Sequence, residues 1–412
     1  MSTVEQPVSL TEALKDPAVR QDPYPTYASF RERGPLVPTP FGGYLLTRHA
    51  DCFQVLRDAR WSSSQKHQNG WENIEQLVES MGFGELFSIF GRVMLFADPP
   101  DHTRLRRIVS KAFTPRAVEA MRPRIAELVD GLLDDAAARG EMELVRDLAF
   151  PLPVTVIAEM LGMPKSELDQ LQAWTSEAVK ALDPSDDFMA LVPAGQAVGE
   201  MRTYFDAFVA EKRRSPGDDL TSALIAAEDD GESLTHDELL DTMILLFGAG
   251  HETTVNLITG GVLNLLQHPS ELARLQADPD GLIESAVEEL LRFGPPVQVS
   301  ARTATTDVEL CGQRLEKGSQ VVVMIAGANR DPEVFTDPDR LDIGRTENRH
   351  LAFGGGIHLC LGAPLARIEG QEAIGRLVRR FPDMALVDDE VVWKETATIR
   401  GPQHLRVSLT GR

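Results

Sequence analysis

The sequence predicts a mainly α-helical protein with a minor β region. Residues 101–213 carry mostly amphipathic helical periodicity. The longest helix is predicted to begin at the capping box Thr235-His-Asp-Glu238 and to end before Pro269. A helix of that length, roughly 50 Å, requires burial through the middle of a domain. In the second half of the chain, strand-like alternation appears at residues 297–299, 314–325 and 384–409.

The first hundred residues mix short elements with one long irregular stretch. We expect a helix over 24–32, a strand pair around Gly42-Gly43 and a helix over 50–58. Residues 62–98 show no periodicity, and unstructured stretches of this length are usually functional or disordered. Their aromatic content favours a lid or pocket wall, with a plain surface excursion as the alternative. The aromatic residues are Trp71, Phe83, Phe87, Phe90 and Phe96.

Composition limits the class of protein. The chain has 412 residues, 42% of them hydrophobic, and no linker, repeat or low-complexity tract divides it, so we expect one domain over residues 1–412. The net charge of −22 disfavours nucleic-acid binding, which needs clustered cations. Three cysteines cannot build a disulfide framework. No signal peptide or membrane-spanning run is evident, and we therefore expect a soluble cytoplasmic protein that does not bind membranes.

Cys360 is the most informative residue. It lies in Phe353-Gly-Gly-Gly-Ile-His-Leu-Cys360-Leu-Gly362, directly before a helix-like run. Backbone N–H groups and the helix dipole at such a position favour a thiolate. The surrounding glycines allow the backbone to approach a flat group closely. A lone thiolate on this platform suits the axial ligation of haem iron, whereas the alternative is an inert cysteine in a glycine-rich turn.

Small and polar residues interrupt the centre of the long helix. Gly248 and Gly250 cost about 1 kcal/mol each relative to alanine, and Ala249 lies between them. Either close helix packing or a flat ligand against this turn would explain them. Glu252 and Thr253 follow at once, and a buried carboxylate needs partners. From the residues alone, a structural kink and a functional acid–alcohol pair remain open.

These two segments resemble the cytochrome P450 monooxygenases. The cysteine loop has the family pattern at Phe353, Gly356, His358, Cys360 and Gly362. The window Ala249-Gly-His-Glu-Thr-Thr254 resembles the oxygen-activation motif of the same family. The resemblance implies the cytochrome P450 fold, with haem b between the long central helix and the helix of the cysteine loop.

The same resemblance implies roles for individual residues. Cys360 would ligate the iron, and Thr253 and Glu252 would hold dioxygen and deliver protons. His102, Arg106, Arg302 and His358 match the positions that bind the haem propionates, which as carboxylates need cations and donors. The complete set of implied cofactor contacts is His102, Arg106, Ala249, Gly250, Arg302, Phe353, His358, Cys360 and Gly362.

Two further sets follow from the resemblance. Glu289 and Arg292 share a helical face and would form a buried ion network with Arg340 that supports the cysteine loop. A mainly apolar substrate pocket is implied, with Gln298 beside it as either a polar handle or a surface residue. Its walls would be Leu95, Leu245, Gly248, Val297, Val299, Thr398 and Ile399.

The expected activity is a haem-thiolate monooxygenase. It would insert one oxygen atom from O2 into a C–H bond of a lipophilic small molecule, with epoxidation of an alkene as a variant. The chain lacks a G-x-G-x-x-G fingerprint and the four thiolates of a ferredoxin cluster, so electrons must come from another protein. We expect a ferredoxin with its reductase, docking at a basic cluster of Arg104, Arg106, Arg107 and Lys111.

Three alternatives are weighed against this reading. A peroxide-driven peroxygenase would typically lack the acid–alcohol pair found at Glu252 and Thr253. A non-enzymatic haem carrier or sensor would usually join a signalling domain, and none is visible in the sequence. A structural Cys/His metal site would need a second ligand pair near His358 and Cys360.

Overall fold

The structure is a computed structural model that describes residues 7–40, 42–72, 76, 89, 91–183, 191–229 and 234–411. Phe83, Phe87 and Phe90 of the predicted aromatic stretch lie outside the described residues. The α-helices of the described part are α1 (Leu10–Ala13), α2 (Pro17–Gln21), α3 (Tyr24–Glu32), α4 (His49–Arg57), α5 (Asp101–Ser110), α6 (Pro115–Glu119), α7 (Arg122–Ala137), α8 (Pro151–Leu161), α9 (Leu168–Ala178), α10 (Val192–Arg214), α11 (Leu220–Asp229), α12 (His236–Gln267), α13 (Pro269–Ala277), α14 (Pro279–Phe293), α15 (Ile325–Ala328) and α16 (Ala363–Arg380).

Short strands form the minor β region. They are β1 (Leu36–Pro38), β2 (Tyr44–Leu46), β3 (Trp61–Ser62), β4 (Glu141–Glu143), β5 (Ser300–Ala304), β6 (Val308–Leu310), β7 (Gln313–Leu315), β8 (Gln320–Val323), β9 (Ala385–Leu386), β10 (Val392–Trp393), β11 (Pro402–His404) and β12 (Arg406–Ser408). One sheet has the order β1-β2-β8-β5-β3, in which only β2 and β8 are parallel. Strands β4, β12 and β9 form a second sheet in the order β4-β12-β9. Strands β6 and β7 pair with each other, as do β10 and β11.

The long helix α12 runs through the core. The Thr235 hydroxyl accepts from the Glu238 amide and the Glu238 carboxylate accepts from the Thr235 amide, which confirms the predicted capping box. Most of α12 is buried, and it crosses α16 closely, since a Cβ at Gly370 would lie 3.2 Å from Leu257 Cδ2. The segment that follows the cysteine loop is therefore packed against the helix that carries Glu252 and Thr253.

The predicted fold class is confirmed, with local differences. The helix over 24–32 and the strand pair around Gly42-Gly43 are present. The strand predicted over 297–299 was misplaced: Val297 forms only an isolated bridge with Ile399, and β5 begins at Ser300. Pro295 and Pro296 lack the amide hydrogens of a sheet ladder, so regular pairing starts later. Within the described residues, no helix is both long and apolar enough to cross a bilayer.

Candidate active site

The cysteine loop is a tight turn held from both sides. The Cys360 amide donates to the Phe353 carbonyl at 2.9 Å, and the guanidinium of Arg367 lies 4.5 Å from the centre of the Phe353 ring. Gly356 has a φ of 65°, and a Cβ there would lie 2.4 Å from the Leu56 carbonyl oxygen. Only glycine fits this position, because the loop both turns in the left-handed region and touches the backbone of α4.

Cys360 is exposed. Its neighbours Ile357 and Leu359 are each 49% exposed, so the loop presents apolar groups together with the sulfur. Burial raises the pKa of the Cys360 thiol, while the amides of Gly362 and Ala363 and the charge of Arg106 lower it. The amide donors act in the expected direction, but burial outweighs them and the net pKa is raised.

Four basic side chains meet next to the loop. The rings of His102 and His358 lie 4.4 Å apart, and the Arg106 Nη2 donates to the Leu359 carbonyl at 2.6 Å. Arg302 is buried and donates to the Ser300 hydroxyl and the Ala301 carbonyl. The four belong to α5, β5 and the loop, so the fold brings together residues that are far apart in sequence.

The cluster is electrostatically strained without an anion. Burial and the charges of Arg302, His102 and Arg106 lower the pKa of His358 to about 3. Burial lowers the pKa of Arg302 to about 10, only partly offset by Asp98. The buried Nε2 of His102 has no hydrogen-bond partner among the described residues. These groups would be stabilised by a pair of carboxylates, so they fit the propionates of haem beside a cysteine ligand.

The accessible face of α12 lies within an otherwise buried helix. Ala249 is exposed, and Leu245 and Thr253, which share its face, are partly exposed. The Thr253 hydroxyl donates to the Ala249 carbonyl at 3.1 Å. An apolar surface with one hydroxyl is thereby presented in the middle of the helix.

Gly248 and Gly250 of α12 serve helix packing. A Cβ at Gly248 would lie 3.2 Å from Thr175 Cγ2 of α9, and one at Gly250 would lie 3.4 Å from Ile157 of α8. Gly248 is buried and faces α9 rather than the predicted pocket, whereas Gly250 is partly exposed and its contact with a cofactor stays a prediction. Their small size lets neighbouring helices approach.

Glu252 is a buried carboxylate with a partner that the sequence did not indicate. Lys394, which follows β10, donates from Nζ to Glu252 Oε1. Burial raises the pKa of Glu252, but Lys394, His251 and hydrogen bonding outweigh it, so that the net pKa is lowered. The side chain is held as a carboxylate next to Thr253. No spacing signal could have revealed Lys394, which is 142 positions away.

The predicted substrate walls separate into two groups. Leu95 is 41% exposed and Val297 is partly exposed, so both are available to a ligand. Val299 is instead buried in a core cluster with Tyr27 and Phe30, and its prediction as a pocket wall is wrong. Val297 and Val299 would share a face in a regular strand, but Val297 forms only an isolated bridge and β5 begins at Ser300, so the two side chains do not alternate as strand residues.

The C-terminal turn is fixed by polar contacts. The Thr398 hydroxyl donates to the Leu182 carbonyl at 3.0 Å, and Asp183 accepts from the amides of Ala397 and Thr398. Ile399, the neighbouring predicted wall, is 6% exposed. The sequence did not indicate Asp183 as the anchor of this turn.

Gln298 is neither a polar handle nor a surface residue. Its Oε1 accepts from the Tyr27 hydroxyl at 3.1 Å, and its Nε2 donates to the Pro295 carbonyl. The side chain is buried and connects α3 to the segment before β5.

Glu289 and Arg292 form a fully buried pair on α14. Two hydrogen bonds of 2.8 Å join them, and neither side chain is exposed. The third member is Arg345, whose Nε donates to Glu289 Oε2 at 3.1 Å. Arg340 was wrongly predicted there: its side chain is exposed, and only its carbonyl accepts from Arg292.

A second carboxylate of α14 anchors the cysteine loop. Glu288 accepts from Arg367 Nε at 2.6 Å and pairs with His350 at 3.2 Å. Burial raises its pKa, but His350 and Arg367 lower it to about 2. Both partners flank the loop, and the sequence analysis did not single them out.

The predicted basic cluster on α5 is partly neutralised. Arg104 pairs with Glu238 and Asp101, and Arg106 points to the cysteine loop. Arg107 and Lys111 are exposed.

Comparisons with known proteins agree with this geometry. A family model described as "Cytochrome P450" matches residues 85–391. The chain is 43% identical to "Cytochrome P450 monooxygenase PikC" of Streptomyces venezuelae, over 94% of this chain and 91% of that protein. It is 40% identical to "6-deoxyerythronolide B hydroxylase" of Saccharopolyspora erythraea, over 97% and 98% of the two chains. The crystal structure of myxobacterial CYP267B1 in complex with myristic acid matches with a TM-score of 0.88 at 42% identity, covering 97% of this chain and 99% of that one.

Proposed function

The chain belongs to the cytochrome P450 family, and from that premise we propose that it inserts one oxygen atom from O2 into a C–H bond of a lipophilic small molecule. The family implies a haem-iron cofactor, and we take it to be haem b. The observation that carries the proposal is the exposed Cys360 beside a cluster of four basic side chains, in which burial strongly lowers the pKa of His358 and Arg302.

Haem ligated by a cysteine thiolate supplies O–O bond cleavage and oxygen transfer when it is bound. Cys360 would ligate the haem iron, on a loop held by the hydrogen bond from its amide to the Phe353 carbonyl. His102, Arg106, Arg302 and His358 would bind the propionates, whose negative charges would offset burial and mutual repulsion in the cluster.

Protons are supplied by the pair on α12. Thr253 presents a hydroxyl on the accessible face, where it holds dioxygen by a hydrogen bond. Glu252, kept as a carboxylate by Lys394, accepts protons from the solvent side and passes them towards Thr253.

The substrate contacts are mainly apolar. Leu95, Leu245, Ala249 and Val297 are accessible and carry no polar side-chain atoms, which favours a lipophilic substrate and excludes water from the reacting carbon. The myristic acid bound by CYP267B1 belongs to this chemical class. Lipophilic probes with and without a carboxylate are therefore the first substrates to test.

Electrons come from a separate ferredoxin with its reductase. Arg107 on α5 and Lys111 directly after it are exposed, and Arg106 of the same helix contacts the cysteine loop. In a chain with a net charge of −22, this basic surface can orient an acidic donor by complementary potential.

The test is the origin of the inserted oxygen atom. The purified protein, a ferredoxin, its reductase and NAD(P)H are incubated with a lipophilic substrate under isotopically labelled dioxygen, and the product is examined by mass spectrometry. We expect labelled alcohol, dependent on the ferredoxin. Unlabelled product, or turnover that needs only added peroxide, would replace the proposal with the peroxygenase alternative.

A further inference from the structure

Glu252 lies beside a stripe of α12 that has an accessible part and a buried part. Positions 249, 253, 256 and 260 follow helical spacing and therefore share one side of α12. Ala249 and Thr253 form the accessible face described above. Further along the same side lie Asn256 and Gly260. The neighbouring Glu252 side chain, 11% exposed, is paired with Lys394, 23% exposed.

Asn256 carries a buried amide next to this ion pair. The residue is 2% exposed, and neither polar atom has a hydrogen-bond partner of standard geometry among the described residues. It nevertheless lies close enough to Glu252 to favour the carboxylate. A buried amide without a hydrogen-bond partner lowers stability by about 1–3 kcal/mol. We therefore expect a water molecule to hydrogen-bond this side chain.

A cavity of about 550 Å³ adjoins Asn256. Its polar lining includes the buried hydroxyl of Tyr24, which also has no partner among the described residues, and Arg400, stacked 3.6 Å above the Trp393 ring. A polar cavity of this size holds ordered water. The lining includes Tyr24, Asn256, Gly260, Asn264, Trp393 and Arg400.

We propose that this cavity is the aqueous compartment from which protons enter the active site, with Asn256 holding water next to Glu252. Lys394 is a positioning residue, which fixes the carboxylate between the compartment and Thr253. The inference rests on the proposed function, in which Glu252 delivers protons.

The proton balance follows from the reaction. One oxygen atom of O2 and the substrate C–H become the alcohol, and the other oxygen atom leaves as water. Forming that water consumes protons and electrons in equal number. The ferredoxin supplies the electrons. A water molecule at Asn256 gives a proton to Glu252, which gives it on towards Thr253 and returns to the carboxylate, while the water regains its proton from bulk solvent through the cavity.

Gly260 offers a way to fill the cavity without touching the ion pair. It lines the cavity two turns beyond Glu252, and a Cβ there would meet no atom within 4 Å. Gly260→Met would occupy part of the cavity, whereas Gly260→Ala, the matched control, leaves most of its volume. Asn256→Leu removes the amide at similar size, with Asn264→Leu as its control two turns away on the same wall.

The experiment measures product formed per NAD(P)H consumed and the solvent deuterium isotope effect on turnover. We expect Gly260→Met and Asn256→Leu to lower coupling at least about threefold and to raise the isotope effect. Both controls should behave as wild type, and substrate affinity, read from the spin-state change, should not move. A crystal structure of the resting wild-type protein should show ordered water on Asn256, displaced in Gly260→Met.

Lys394 is tested by the pH profile of coupling. The groups that act on Glu252 are Lys394, which follows β10, and His251 and Asn256 from its own helix. Without Lys394, burial raises the pKa of Glu252, so Lys394→Met should move the acid limb of the coupling profile to higher pH. Lys394→Arg should restore it.

The outcomes separate the two proposals. If Gly260→Met and Asn256→Leu keep wild-type coupling and isotope effect while Thr253→Ala uncouples, the compartment is not the proton source and the inference fails. No ordered water on Asn256 would have the same consequence. If Thr253→Ala and Glu252→Gln also remain coupled, the proton role in the proposed function fails instead.

Discussion

Thr253 and Thr259 make the same local contact in different surroundings. Each hydroxyl donates to the carbonyl four residues earlier, to Ala249 at 3.1 Å and to Val255 at 2.8 Å. Only Thr253 lies on the accessible face of α12, whereas Thr259 is fully buried. The hydroxyl at position 253 is therefore free to serve a reactant by rotating away from the helix.

Thr253→Ala should uncouple NADPH or NADH oxidation from product formation. Loss of a positioned proton-transfer group typically costs one to several orders of magnitude, and we expect coupling to fall at least about tenfold. Thr259→Ala removes an equivalent helix contact and should keep wild-type coupling. Equal coupling in both variants would remove the assigned role of Thr253.

Glu369 on α16 is a buried acid with a different role. It is 1% exposed, and neither carboxylate oxygen has a partner of standard geometry among the described residues. Burial raises its pKa to about 8, although the nearby Thr254 hydroxyl lowers it slightly. The folded protein therefore holds Glu369 protonated at neutral pH.

The raised pKa of Glu369 predicts a pH-dependent loss of stability. Its contribution is fully present below the ordinary pKa of 4.5 and is lost as pH rises through about 8, because the unfolded chain ionises first. Glu369→Gln should remove this decline, so thermal unfolding between about pH 5 and pH 8 should show a flatter profile than wild type. The exposed Glu390→Gln is the control, and parallel profiles for wild type and Glu369→Gln would contradict the burial argument.

At the scale of elements, α14 supports the cysteine loop. Glu289 accepts hydrogen bonds from Arg292, Arg345, Asn348 and the Asp342 amide. Arg292 also donates to the Asn329 carbonyl, and the Asn329 side chain accepts from the Leu351 amide two residues before the loop. The buried ion pair of Glu289 and Arg292 is thereby connected to the cysteine loop through Asn329.

Arg345→Met should destabilise the fold, and Arg340→Met should not. Arg345 donates to a buried carboxylate, and losing such a bond costs about 2 kcal/mol. Arg340 contributes only its carbonyl, so its change should stay within about 0.5 kcal/mol. Urea unfolding of the two variants measures the difference. The reverse order would restore the sequence-based assignment of Arg340.

Local signals explain what the sequence could predict. The capping box at Thr235 and the proline after His268 lie at the ends of α12, and each acts on neighbouring residues. Contacts such as Lys394 with Glu252 and Arg345 with Glu289 join distant segments, and no periodicity encodes them. The error at Val299 has the same cause, because the side that a short extended segment buries depends on the layers around it.

At the scale of the whole molecule, charge is unevenly distributed over the surface. The net charge is −22, yet Arg107 and Lys111 are exposed on the helix that contacts the cysteine loop. An acidic electron carrier would be repelled by most of the surface and attracted there.

Charge reversal on α5 should weaken the donor complex. We expect Arg107→Glu and Lys111→Glu each to slow reduction by the ferredoxin at low salt by about tenfold, with the difference shrinking as ionic strength rises. Lys317→Glu, an equal change after β7, is the control. Stopped-flow reduction rates at several salt concentrations provide the measurement, and salt-independent slowing would indicate damage other than lost docking.

The proposed function requires Cys360 as the ligand of the haem iron. The most direct measurement is the difference spectrum of the reduced, carbon monoxide-treated protein, recorded for wild type and Cys360→Ser, with Cys52→Ser and Cys311→Ser as controls. We predict the red-shifted absorption of thiolate ligation in wild type and both controls, and its loss in Cys360→Ser. An imidazole-type spectrum in wild type, or an unchanged spectrum in Cys360→Ser, would contradict the assignment.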